Sequence, residues 1–297
     1  MRQLKSIIFI ANVGTLLEWA EFTFYAYIAD HIAKLFFPQI DPQAGMVATF
    51  SVFAIGYLMR PLGAVIFGHM GDKLGRRIAL QRSISLMGIS SLGLGLLPTY
   101  AIAGVYAPIL LLLCRCAQGI AVAGEYNGSA IFLIEHAKRR PYLAGSWTGW
   151  TAAVGMMSGG LAAALISLPG MPSWAWRIPF LLGAVMCVCG FYLRHRTQET
   201  PDFLLLMRRE KISKWPFMEA ITRHRGHLIL TAALAAALGI YIYLGNVYYV
   251  TFLAQSSSLS EVQTKIIAAL GEAFVIIFFP IGAIIADQYG GIKIIKL

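Results

Sequence analysis

Glu18 and Glu21 stand in an otherwise apolar run, and Tyr25 follows four residues on. At 100° per residue of an α-helix, the three fall within about 60° of one face. Carboxylates inside an apolar helix are costly and usually face a polar cavity. There they suit the binding and release of protons, or contact with a cationic ammonium. The structural alternative is a pair bonded to a neighbouring helix. Arg115, Gln118 and Glu125 form a second stripe of the same kind. Roughly 15 Å of helical rise separates Arg115 from Glu125, so each needs a partner elsewhere. The guanidinium suits a carboxylate held by two parallel hydrogen bonds, and Glu125 suits a proton or a cationic end. A structural charge network between the first and fourth spans is the alternative here. No Ser/His/Asp set is arranged for a nucleophile, and no phosphate-binding G-x4-G-K-S/T occurs. The chain therefore reads as a non-enzyme without a metal or cofactor, driven by an ion gradient if it drives anything.

These residues need helices that hold them in a bilayer. The chain is 58% hydrophobic and 13% charged, against roughly 45–50% and 25% in soluble domains. That composition excludes a soluble enzyme, a disordered chain and a fibrous repeat. Each crossing takes about 20 apolar residues, which leaves room for about eight to ten. The apolar runs are 6–33, 45–67, 78–97, 106–134, 142–168, 174–193, 228–252 and 266–286. All are expected to be helices, since backbone polar groups find no water in lipid. The third reads as the least polar. The first, fourth and fifth carry polar residues in their middles. Arg2 and Lys5 precede the first run as in a signal peptide, but it continues past Glu18 to Ala33, so it reads as a span.

The net charge of +10 comes from 24 basic against 14 acidic residues. Most basic residues fall at the N-terminus and in alternate loops, 71–77, 136–140 and 195–225. Arg60 and Arg115 lie inside spans, and Lys34, Arg177 and Lys265 on the opposite side. This positive-inside pattern puts the N-terminus in the cytoplasm of a multi-pass inner or plasma-membrane protein, and favours anionic lipid over nucleic acid as partner. Arg60 near the end of its span reads as a snorkelling residue. The long loop divides the chain into a six-span lobe (1–194), a cytoplasmic linker (195–226) and an incomplete second lobe of two spans (227–297). After the second span the chain reads Gly68-His-Met-Gly-Asp72-Lys-Leu-Gly75-Arg76-Arg77, and after the eighth Gly282 to Asp287 and Gly290 repeat part of it. Cys114, Cys116, Cys187 and Cys189 read as buried free thiols. The pairs Gly145/Gly149 and Gly155/Gly159 mark close helix packing. Trp174, Trp176, Tyr241, Tyr243, Tyr248 and Tyr249 fit an interfacial aromatic belt.

The segment 68–77 resembles the loop signature of the major facilitator superfamily, with Lys73 replacing its first arginine. Arg115-Cys-Ala-Gln118-Gly119 through Gly124-Glu125 is similar to that superfamily's R-x-x-Q-G-x-x-x-G-E. Leu17-Glu18-Trp19-Ala-Glu21-Phe22, Arg60-Pro61-Leu62-Gly63, Trp174-Ala-Trp176-Arg177-Ile-Pro179-Phe180 and Glu199-Thr200-Pro201 resemble the metabolite:proton symporters, and among them the proline/glycine-betaine transporters. Departures are Glu21 where that family usually has Asp, the arginines missing at Gln288, Gly291 and Ile292, and Glu272 in an apolar helix.

The resemblance implies an all-α integral membrane bundle working by alternating access as a proton-coupled symporter of a zwitterionic osmolyte, proline or glycine betaine. Glu18, Glu21, Tyr25, Arg115, Gln118 and Glu125 are then the residues that meet solute or proton. Gly68, Asp72, Gly75, Arg76, Arg77 and Glu135 form a cytoplasmic gate latch. An organic-acid:proton symporter of the same family is the alternative. Because such transporters have twelve spans, a truncated remnant that inserts without transporting is another. The sequence sets no oligomeric state.

Overall fold

A computed structural model describes residues 2–209, 215–244, 261–291 and 293. Its helices are α1 (Arg2–Tyr27), α2 (Ala29–Phe36), α3 (Pro42–Leu58), α4 (Arg60–Lys73), α5 (Arg76–Leu96), α6 (Tyr100–Ala103) and α7 (Tyr106–His136). They continue with α8 (Pro141–Ile166), α9 (Arg177–His195), α10 (Pro201–Arg208), α11 (Pro216–Arg223), α12 (Arg225–Tyr243) and α13 (Glu261–Tyr289). By length and composition, 7–27, 42–73, 106–136, 141–166 and 177–195 can each cross a membrane. Large apolar side chains such as Leu58, Ile89, Ile102 and Val188 stand exposed on the outside. A soluble surface rarely presents so many; a bilayer covers them without loss. The end of the seventh run and the loop after it lie outside the described residues.

Two expected spans are broken. The first bends at Ile28, between α1 and α2, and the second at Met59, between α3 and α4. Pro61 explains the second break. It lacks an N–H and is tolerated only in the first turn of a helix, so α4 starts afresh at Arg60. The third span corrects the sequence reading. α5 is rich in serine and carries Gln81 and Arg82. Those residues keep it out of the set of apolar crossings, and two of the serines, Ser83 and Ser91, donate to the buried carboxylates of Glu125 and Glu21 on other helices.

Helix ends are closed by named groups. Asp41 caps α3 by accepting from the amides of Gln43 (3.0 Å) and Ala44 (3.3 Å), with Pro42 in the first turn. Gly75 enters α5 at φ 112°, a left-handed conformation that glycine adopts without a Cβ penalty. A Cβ there would also strike the Glu199 carboxylate. That carboxylate accepts from the Arg77 amide at 3.1 and 3.2 Å, which seats a negative group on the N-terminus of α5. At the other end of α5, the Arg177 guanidinium donates to the carbonyls of Gly95 (3.2 Å) and Leu97 (2.6 Å).

The core lies in three apolar groups along the bundle. One end gathers Phe24, Phe36, Leu94, Leu111, Trp176 and Phe180. The middle holds Val13, Leu17, Ile84, Met87, Val122 and Cys187. The basic end holds Ala11, Leu80, Phe132, Leu133 and Ala144. Trp176 is therefore core, edge-on to Phe36 at 5.8 Å, not part of an interfacial belt; Trp174 alone of the two is exposed. The side chains of Tyr241 and Tyr243, and all of Tyr248 and Tyr249, lie outside what is described. All four cysteines are free, but only Cys187 is buried and Cys189 is exposed. Two residues along a helix turn a side chain by about 200°, so that pair cannot share a face.

α1 and α8 cross closely. A Cβ on Gly155 would come within 2.6 Å of the Leu16 carbonyl oxygen, and one on Gly159 would overlap the Ala20 carbonyl. The second glycine pair is thus a backbone-to-backbone contact. Gly149 instead receives the Phe279 ring of α13. α13 meets α8 again at its end, where Asp287 accepts from the amides of Tyr142 (2.9 Å) and Leu143 (3.0 Å). The repeated aspartate is a helix cap for α8.

Candidate functional site

Two polar layers separate the three apolar groups. The first surrounds Glu21. Its Oε2 accepts from Ser91 Oγ of α5 and from Gln118 Nε2 of α7, both at 2.6 Å. Gln118 Oε1 in turn accepts from Arg115 Nη1 at 2.6 Å. The glutamine therefore ties carboxylate to guanidinium without a direct ion pair. Arg115 lies over the Tyr25 ring at 4.3 Å and the Phe53 ring at 5.4 Å, and the Tyr25 hydroxyl donates to the Thr49 carbonyl at 3.3 Å. Glu21, Tyr25, Arg115 and Gln118, singled out from their spacing, meet as one chain of contacts. Ser91 completes it from the third span, which was expected to be the least polar.

A narrow cavity of about 20 Å³, space for about one water, adjoins this layer, lined by Glu18, Glu21, Phe22, Tyr57, Arg60 and Arg115, with Gln118 and the apolar Met87 and Val122 beside them. Glu18 is 2% exposed, and neither of its carboxylate oxygens accepts a hydrogen bond among the described residues. Its nearest cation is Arg60, with Nη2 3.8 Å away. Arg60 does not snorkel. As the first residue of α4 it faces inward and lies over the rings of Tyr57 (4.0 Å), Phe22 (5.1 Å) and Trp19 (5.9 Å). Close backbone approach permits this. A Cβ on Gly56 would come within 2.9 Å of the Arg115 carbonyl, and one on Gly119 or Gly63 would strike the backbone of the opposing helix.

Glu125 differs from its expectation. It is wholly buried and lies away from the cavity, in the second polar layer. Arg194 of α9 grips it with Nη1 and Nη2 each 2.7 Å from one oxygen. Ser83 donates to the same carboxylate at 2.5 Å. Arg194 also donates to the carbonyls of Ile10 (3.2 Å), Leu80 (2.6 Å) and Ala11 (2.8 Å). The pair is saturated, so it has the form of a structural network, but its charged partner stands on α9 and not on the first span. It joins α7 to α9, α5 and α1. Arg194 was missed as the partner because its position beside His195 and Arg196 reads as plain positive-inside charge.

The gate residues sit together at the basic end. Arg76 pairs with Asp72 and, at 3.3 Å, with Glu135. Arg77 donates to the Thr197 carbonyl at 3.1 Å, Lys138 pairs with Asp202 of α10, and Trp215 approaches His69 of α4 at 6.2 Å. The segment after α9 is thus folded back on the bundle. Gly68 has open space where a side chain would go, so no close contact among the described residues requires it. No cluster of three or more metal-ligating side chains occurs among the described residues. The side chain of Glu272 lies outside what is described.

The sequence matches the model of a family described as "Sugar (and other) transporter" over residues 7–214. It is 35% identical over 306 residues to the proline/betaine transporter of Salmonella typhimurium strain LT2, covering 97% of this chain and 60% of that one. It is 33% identical over 290 residues to the shikimate transporter of Escherichia coli strain K12, covering 93% of this chain and 65% of that one. The chain thus spans about 60% of the length of the proline/betaine transporters it matches. The fold matches the major facilitator superfamily proton:xylose symporter XylE bound to 6-bromo-6-deoxy-D-glucose with a TM-score of 0.73, at 16% identity, over 96% of this chain and 70% of that one.

Proposed function

Because this chain belongs to the sugar (and other) transporter family, with the helical bundle of the major facilitator superfamily, we propose that it serves proton-coupled symport of a zwitterionic osmolyte such as proline or glycine betaine. The observation that carries this reading is the chain Glu21–Gln118–Arg115 beside the cavity. A solute carboxylate displaces the Gln118 amide from Arg115 and takes two parallel hydrogen bonds from the guanidinium. Gln118 and Glu21 are then released from the relay, and Glu21 exchanges its proton in step with solute binding. Glu18, whose oxygens accept no hydrogen bond among the described residues, meets the ammonium. Glu125 holds helices together and touches neither solute nor proton.

The positive-inside distribution of charge supports a cytoplasmic N-terminus and a cytoplasmic segment 195–226 following a six-helix lobe, 1–194. The contacts of Asp72, Arg76, Arg77, Glu135, Glu199 and Asp287 then lie on the cytoplasmic face, where they hold helix ends together as a latch. Relatives of this chain are named as transporters.

A second reading has its own observation. Two guanidiniums, Arg60 and Arg115, line one cavity, which suits an organic acid better than a zwitterion. Proteoliposomes containing the full chain, with an imposed inward proton gradient, decide between them. Saturable, gradient-dependent uptake of radiolabelled proline or glycine betaine supports the first reading. Uptake of shikimate alone supports the second. Uptake of none of these sinks both and leaves a chain that inserts without transporting.

A further inference from the structure

Arg60 occupies an unusual position. Three aromatic rings, Trp19, Phe22 and Tyr57, surround its guanidinium at 4.0 to 5.9 Å. Trp19 and Phe22 stand edge-on to each other at 5.9 Å, and Phe22 lies 5.8 Å from Tyr57. Rings disposed about a point in this way hold a cation through their quadrupoles. Beside the box sits Glu18, buried, facing the same cavity, with no hydrogen bond to either oxygen among the described residues and its arginine 3.8 Å away. Excluded from water, a carboxylate of this kind is expected to be gripped at about 2.7–2.9 Å. The box holds Arg60 by its rings and by a long ion pair to Glu18, and the carboxylate at its wall is left under-used.

We propose that Trp19, Phe22, Tyr57 and Glu18 form a subsite for a small organic ammonium, tetraalkylated or secondary, and that Arg60 is a tethered cation filling it until the solute arrives. The inference deepens the reading of this cavity as a solute site by naming where the ammonium goes and what it must displace. A compact ammonium enters the box, approaches Glu18 more closely than the fork of Arg60 does, and expels the guanidinium. Arg60 is the first residue of α4, next to the break at Met59. Its release therefore frees the α3–α4 junction on the cavity wall, so solute binding acts directly on a bend in the second span.

A tethered competitor lowers apparent affinity by the fraction of time it holds the site. The test is equilibrium binding of tetramethylammonium, which has no carboxylate, to the full chain in lipid nanodiscs, read by tryptophan fluorescence against a Trp19→Phe control. Lysine lacks the planar stacking of arginine, so it is a weaker plug. The expected order of affinity is wild type, then Arg60→Lys about threefold tighter, then Arg60→Gln about tenfold tighter. Adding Tyr57→Leu to Arg60→Gln removes the gain. If Arg60→Gln does not fold, the comparison of Arg60→Lys with wild type decides alone. A flat or reversed order overturns the inference. So does a loss of glycine betaine binding in Arg60→Gln with tetramethylammonium unchanged, since Arg60 would then be holding a carboxylate. The expected order without uptake of any solute keeps the subsite and removes the symport reading.

Discussion

Arg194 and Glu125 meet through two parallel hydrogen bonds of 2.7 Å, and the remaining donors of the guanidinium are spent on three backbone carbonyls. The arginine thereby fastens the last turn of α9 to α7, α5 and α1 at once. Removing one partner strands the other charge in an apolar interior, at a penalty of about 3–5 kcal/mol. Glu125→Leu and Arg194→Leu should each lower the thermal midpoint of the detergent-solubilised chain sharply, and the double variant should recover part of the loss. Equal losses in all three, measured by size-exclusion chromatography after heating, would contradict this assignment.

The α1–α8 crossing gives a second expectation. Gly159 has a backbone carbonyl where a side chain would go, whereas Gly282 of α13 has open space. Overpacking costs roughly 1–3 kcal/mol and often more when backbone must move. Gly159→Val should therefore lose folded yield, while Gly282→Ala should be neutral or gain up to about 1 kcal/mol from helix propensity. Paired thermal unfolding curves check both, and tolerance of valine at Gly159 would mean that the helices do not cross there.

Much of this arrangement is legible in the sequence, and the reasons for the rest are physical. Glu21, Arg115 and Gln118 announce themselves because charge in an apolar run needs a partner, and their helical spacing shows that they share a face. Ser83 and Ser91 stay silent, since serine is common in membrane helices and its hydroxyl can bond its own backbone. Spacing along one helix also cannot tell which neighbour an acid meets. Glu125 sits on nearly the same face as Gln118, yet the rise along α7 carries it to another layer and to Arg194. The loop signature located Arg76 and Arg77, but the cap on α5 comes from Glu199, more than a hundred residues away. The repeat at Asp287 flagged a special aspartate without revealing that it caps α8.

That aspartate gives a third expectation. Asp287 accepts from the first two amides at the start of α8, where a helix presents its positive end. Asp287→Ala removes both acceptor oxygens, so about 0.5–2 kcal/mol of capping stabilisation should fall away. Hydrogen exchange in residues 141–145 should accelerate, with α3 and α7 unchanged. Uniform protection in wild type and variant would show that α13 does not hold α8.

The last expectation separates two of the buried carboxylates, Glu21 and Glu125, by function. Glu21 borders the cavity and is tied to Arg115 only through the side chain of Gln118, so its charge can change while the helices stay in place. Glu125 is clamped by Arg194 and Ser83, so its charge cannot change without breaking the clamp. In proteoliposomes, Glu21→Gln should abolish accumulation of solute against its gradient, because the group that exchanges the proton is gone. It should retain exchange of labelled for unlabelled solute, since the amide still accepts a hydrogen bond where the carboxylate did. Glu125→Gln should lower accumulation and exchange together, in proportion to folded protein recovered. Accumulation and exchange lost equally in Glu21→Gln at normal folded yield would remove Glu21 from proton coupling and place it among the solute contacts alone.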